Sequence, residues 1–108
     1  MTQNERTALA FNALSHPRRA LIFDKLETEG AKGLGFDALM AATGLQVSSL
    51  RHHLRPMIAA GLVTRRRKGL TVSFRLQGGD VGDAARGIAA RIARLPPSKI
   101  APPKTPLN

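Results

Sequence analysis

Between Val47 and Arg55 the chain reads Val-Ser-Ser-Leu-Arg-His-His-Leu-Arg, and Ser48, Ser49, Arg51, His52 and Arg55 all carry groups able to hydrogen-bond an acceptor-rich, anionic partner. An arginine fork matches the O6/N7 edge of guanine or two phosphate oxygens, a serine hydroxyl donates to base or phosphate, and an imidazole donates or accepts. Ten residues beyond Arg55 come four consecutive cations, Arg65-Arg66-Arg67-Lys68. From Ala38 to Gly79 the charged residues are Arg51, Arg55, Arg65, Arg66, Arg67, Lys68 and Arg75, without one acid. A surface shaped only by solubility mixes signs. Residues 1–37 do so, with Arg6, Arg18, Arg19, Lys25 and Lys32 against Glu5, Asp24, Glu27, Glu29 and Asp37. The net charge of +10 over 108 residues calls for a polyanion. Its concentration in the middle segment fits phosphate neutralisation.

Other chemistries fall away on residue type. With no cysteine, disulfides, thiolate metal sites, thiol redox switches and cysteine nucleophiles are excluded together. His52 and His53 are neighbours, so on a helix they diverge by about 100° and cannot form an i,i+4 ligand pair. His16 is the remaining histidine, and nothing in the sequence puts it beside them. No metal and no cofactor are expected. Neither a Ser/His/Asp constellation nor a carboxylate pair is visible, so the chain does not read as an enzyme. Phe74 is the sole aromatic of the basic segment and Trp and Tyr are absent, so the stacking platforms of single-strand binders are missing and duplex DNA is the expected partner. The longest apolar run, Met57 to Val63, contains a glycine and falls far short of the roughly 18–20 residues of a membrane span. Met1-Thr2-Gln3-Asn4-Glu5 has no secretory character, which places the protein in the cytoplasm.

Elements able to carry these side chains follow from periodicity. Asn4 to Leu14 reads as a helix with Ala8, Phe11 and Leu14 on one side. Ser15 can cap the next helix, Pro17 suits its first turn, and Leu21, Ile22, Phe23 and Leu26 carry it to Gly30. A short helix over Phe36 to Thr43 ends at Gly44, and another follows with Val47, Leu50, Leu54 and Met57 as its apolar stripe. At about 100° per residue Ser48, His52 and Arg55 fall opposite that stripe, with Arg51 and Ser49 on its flanks. His53 lies at the stripe's edge, a packing or phosphate-contacting residue. Pro56 removes the bond to the His52 carbonyl at about 3 kcal/mol, so a kink or a separate turn is expected there, unless the defect is simply tolerated.

Two short helices around Gly44-Leu45-Gln46 form a helix-turn-helix, and the β-prone runs Leu62 to Arg67 and Leu70 to Leu76 around Lys68-Gly69 form a hairpin directly after it. The expected class is mainly α with a small β-hairpin, a winged helix-turn-helix in the order α-α-α-α-β-β-α. Arg65, Arg66, Arg67 and Lys68 sit on the wing, where they meet phosphate or minor groove or guard a sheet edge. A last helix, Asp80 to Leu95, aligns Val81, Ala84, Ala85, Ile88, Ile92 and Leu95. Ala84, Ala85, Ile88 and Ile92, with Ala8 and Phe11 of the first helix, are candidates for a homodimer interface, and packing of that stripe onto its own domain is the alternative. Residues 1–95 thus read as one DNA-binding and dimerisation domain. Residues 96–108, with five of the seven prolines, read as a flexible tail whose Lys99 and Lys104 could touch a polyanion.

Leu14-Ser15-His16-Pro17-Arg18-Arg19, Gly44-Leu45 followed by Ser48 through Arg55, and Ala60-Gly61-Leu62-Val63 with Lys68-Gly69 together resemble the ArsR/SmtB-type bacterial winged-helix repressors over residues 9–76. The resemblance implies a homodimer joined by its first and last helices, bound to an inverted repeat and released by an effector. The chain departs from the family pattern at Gln46, where a capping Ser is usual, at Pro56, and at Gly35-Phe36-Asp37, where metal sensors carry Cys-x-Cys; its last helix has no histidine. The effector is not legible in these residues. The leading reading is a sequence-specific transcriptional regulator; the alternative is a non-specific nucleic-acid-binding protein, architectural or RNA-directed.

Overall fold

The computed structural model describes residues 2–78 and 80–96. Helix α1 (Gln3–Ala13) is capped by Thr2, whose hydroxyl accepts from the Glu5 N–H. Helix α2 (Pro17–Glu29) begins with proline in its first turn, and its cap is His16 rather than Ser15. The Arg18 N–H donates to His16 Nδ1 at 3.1 Å, whereas the Ser15 hydroxyl turns back to the Asn12 carbonyl. Past a single 3-10 turn, Gly30–Lys32, lies a strand that periodicity does not reveal, β1 (Leu34–Gly35). Helices α3 (Phe36–Thr43) and α4 (Val47–Ala59) follow, then β2 (Val63–Lys68), β3 (Thr71–Leu76) and α5 (Asp80–Ala93). The element order is the expected winged helix-turn-helix with β1 added.

Two glycines make local turns possible. Gly44 adopts φ +74°, ψ +7° after α3, and its N–H closes on the Met40 carbonyl, so the chain reverses in three residues before α4. Gly33, at φ +72°, lies so close to β3 that a Cβ would run into the Phe74 carbonyl. That close approach lets β1 pair with β3, Leu34 opposite Phe74 and Gly35 opposite Ser73. The sheet order is β1-β3-β2, antiparallel throughout, with Gly69 and Leu70 as the hairpin turn between the paired Lys68 and Thr71.

The core forms where the helical stripes meet the inner face of the sheet. Ile22 and Leu26 of α2, Leu39 of α3, Leu50 and Met57 of α4 and Leu62 are fully buried, joined by Phe74 and Leu76 of β3. Burial of each such side chain is worth about 1.5–3 kcal/mol, so this cluster fixes the angle at which α4 leaves the turn. Helix α4 stays α-helical through Pro56 to Ala59; no separate turn forms there. Helix α5 packs on α1 and is tied to α2 by the Arg86 guanidinium, 2.8 Å from Glu27 and 3.2 Å from Asp83. No described helix is long and apolar enough to cross a membrane. The tail expected over residues 96–108 lies, beyond Pro96, outside the described residues.

Candidate nucleic-acid interface

On α4 the apolar residues pull one side into the core, and the rest of the helix faces out. Leu50, His53, Leu54 and Met57 are buried; Ser48, Arg51, His52 and Arg55 are exposed, and Ser49 is half-buried. Five candidate side chains therefore share one region of one helix. The N-cap residue Gln46 makes no side-chain bond to the first turn, so the leading N–H groups of α4 stay open to an acceptor.

Neighbouring elements position this face in ways that spacing within α4 does not reveal. The Arg51 guanidinium lies 5.7 Å from the centre of the Phe36 ring, which in turn meets Phe74 edge-on at 6.3 Å. The first residue of α3 thus seats an arginine of α4 and touches the wing. Arg18 of α2 donates from Nη1 to Ser49 Oγ at 3.1 Å. That bond occupies a Ser49 lone pair, brings another cation to the face and orients the hydroxyl. Nothing in the sequence singles out Arg18 for this role, because the contact spans 31 residues.

His53 resolves to a packing residue, 6% exposed. Contrary to expectation, His16 stands beside it, ring centres 4.5 Å apart, and the His52 ring lies 5.1 Å away. Burial first, then the positive fields of His16, His52, Arg19 and Arg18, lower its pKa from 6.5 to about 4. At neutral pH His53 is an uncharged wedge between α2 and α4. Among the described residues no group of three histidines or carboxylates is arranged to hold a metal ion.

Strand alternation divides the wing's cations between two faces. Arg65 pairs with Phe74 and Arg67 with Val72 on the side toward α4. Arg66 and Lys68 lie on the opposite side, paired with Ser73 and Thr71 and joined there by Arg75 opposite Thr64. All four wing cations are exposed, and the Arg67 Nε–H donates to the Gly69 carbonyl at the tip. Among the described residues none of Arg51, Arg55, Arg65, Arg66, Arg67, Lys68 and Arg75 makes an ion pair; the acids lie elsewhere, with Lys32 on Glu29 and Arg86 on Glu27 and Asp83.

The dimer candidates separate into two sets. Ala85 is a correction: it is fully buried in the protomer's own core, where α5 meets the rest of the domain, and offers nothing to a second copy. Ile88 is half-buried, while Ala8, Ala84, Phe11 and Ile92 face outward. Phe11, Ile92 and Leu95 leave 54%, 49% and 48% of their surface exposed. Single exposed apolar residues are ordinary, but Phe11 of α1 and Ile92 of α5, on two helices that pack together, with Leu95 just past the end of α5, call for a partner.

By sequence, no family model and no curated protein matches the chain. By structure it is similar to the homodimeric winged helix-turn-helix DNA-binding domain of Mb0332 from Mycobacterium bovis, a possible ArsR-family transcriptional regulator. That likeness has a TM-score of 0.71 at 27% identity, over 82% of this chain and 80% of that one. NolR from Sinorhizobium fredii is similar at a TM-score of 0.68 and 29% identity, over 83% of this chain and 86% of the other. HlyU from Vibrio cholerae, at 23% identity and a TM-score of 0.71 over 87% of this chain and all of its own, shares the fold. The resemblance to ArsR-type winged helix-turn-helix regulators that the motifs carry is borne out by these folds.

Proposed function

With the fold of ArsR-family winged helix-turn-helix regulators as premise, we propose that this chain is a homodimeric, sequence-specific regulator of transcription. It acts in the cytoplasm, binds double-stranded DNA at an inverted repeat, and represses until an effector releases it. The observation that carries the reading is the set of seven cations over α4 and the wing, none held by an acid among the described residues. A protein keeps such a set unpaired when the counter-charge comes from outside, and DNA phosphates supply it. Ser48, Arg51, His52 and Arg55 read base edges in the major groove, Ser49 is held by Arg18 at the helix start, and Arg65, Arg66, Arg67 and Lys68 anchor to phosphate. The exposed Phe11 and Ile92, and the homodimeric state of the Mb0332 domain, support a dimer through α1 and α5.

Selection of binding sites from a random duplex pool with the purified chain tests this reading. The expected product is a two-fold symmetric sequence bound about 10³-fold or more tighter than random duplex. A ratio near one replaces it with the non-specific reading, in which the same cations serve any duplex.

A further inference from the structure

Between α4 and the face of the wing that carries Arg65 lies a cleft of about 390 Å3. Its floor is apolar, formed by Phe36, Val72 and Phe74 with the inner side of α4, and its rim is Arg51, Arg55 and Arg65. No acid lines it, and Arg55 and Arg65 have neither an ion pair nor a side-chain hydrogen bond among the described residues. The size lies in the range of small-molecule sites, which join a mainly apolar lining to a few convergent polar groups. A DNA phosphate can meet the rim, but it has no flat apolar body to cover the floor. A ligand matching both has one flat apolar end against the two phenylalanine rings and one anionic end for the guanidinium groups.

We propose that this cleft binds a small aromatic carboxylate, and that its occupation weakens DNA binding by taking Arg51, Arg55 and Arg65 away from the duplex. The second half rests on the reading of α4 and the wing as the DNA surface. Ligand and DNA then oppose each other reciprocally, each lowering the affinity of the other by the same factor.

The probe is 2-naphthoate, with neutral 2-naphthol as the control of like shape, titrated into the labelled full chain and followed by NMR. Saturable shifts confined to Phe36, Val72, Phe74 and the α4 side chains are expected with naphthoate, and much weaker ones with naphthol. Saturating naphthoate should lower the affinity for a selected duplex about tenfold or more. Val72→Phe fills the floor and removes no charge; it should bind duplex as before and lose the response to naphthoate. A folded Val72→Phe that still responds, absence of saturable shifts at millimolar naphthoate, or equal binding of naphthol overturns the site. Naphthoate and duplex bound together without mutual weakening overturns the linkage. If naphthoate binds in the cleft while no duplex binds at all, the DNA reading fails and the ligand site stands.

Discussion

Arg51 and Arg66 carry the same charge but should do different work. Arg51 sits on the outer face of α4 above Phe36, in the part of a helix-turn-helix that enters the major groove. Arg51→Ala or Arg55→Ala should therefore cost about 1–3 kcal/mol on a selected duplex and relax preference at one position of the site. Arg66 lies on the face of the wing directed away from α4. Its removal should weaken selected and scrambled duplex alike, and flatten log affinity against log salt by about 0.9 for each phosphate no longer neutralised, with the effect doubled in a dimer. Isotherms over a salt series on both duplexes separate the two roles, and the assignment falls if Arg66→Ala changes base preference while Arg51→Ala and Arg55→Ala do not. His53 gives a prediction of another kind. With its pKa at about 4 in the folded chain against 6.5 when unfolded, the unfolded state binds the extra proton first as pH falls. Stability from this group is thus intact above pH 6.5 and drains away toward pH 4, to a total of at most about 3 kcal/mol. Denaturant melts across that window should fall more steeply for the parent than for His53→Gln; parallel curves would remove His53 as the cause.

Helix α4 tolerates what its sequence argues against. Pro56 lacks the N–H that would reach the His52 carbonyl, yet the helix continues for three residues because Met57 and Ala60 are buried beyond it and hold the turn in place. Packing overrides propensity here, and the conflict is still stored in the helix. Pro56→Ala should raise thermal stability, by about 1–3 kcal/mol, read as an upward shift of the melting temperature. Unaltered affinity for the selected duplex makes the proline a tolerated defect, whereas a loss makes it a device that aims the front of α4. The same balance explains which elements are legible in the sequence. Helices α2, α3 and α4 announce themselves because their stripes, such as Val47, Leu50, Leu54 and Met57, are local patterns with a cap or a glycine at an end. The hairpin is equally local. Strand β1 is not legible: two residues have no period, and their pairing with β3 spans about forty residues of chain. Ser15 is a better generic cap than His16, but only the fold reveals that His16 is wedged against His53, which leaves its Nδ1 facing the Arg18 amide. Phe36 and Arg18 escape a sequence reading of the site for the same reason, since they reach α4 from other elements.

Charge is distributed through the molecule with a polarity that a dimer can use. Among the described residues, seven cations without an ion pair gather on α4 and the wing, while the outward apolar residues Phe11 and Ile92 belong to the α1–α5 pair, with Leu95 just past the end of α5. Helix α5 cannot serve the interface with its whole stripe, because Ala85 is buried in the protomer's core; only its outer edge, with Ile92, remains for a second copy. A stable dimer needs about 800 Å2 from each partner, and the outward apolar residues lie on α1 as well as α5, so both helices are expected to contribute. Ile92→Arg, at a half-exposed position, should leave the melting temperature of the protomer near that of the parent while shifting sedimentation toward the monomer. Phe11→Glu should do the same from the other helix. A two-fold dimer repeats its recognition helices along the groove, so selected half-sites should be centred about 10–10.5 base pairs apart or at a multiple of that spacing. Losing the partner turns an effectively intramolecular second contact into a separate event, and affinity for the two-half duplex should fall by about 10²–10⁴. Affinity for a single half-site should barely change, since each protomer keeps its own α4 and wing. A parent chain that sediments as a monomer and binds one half-site as tightly as two would overturn the dimer and, with it, the inverted repeat.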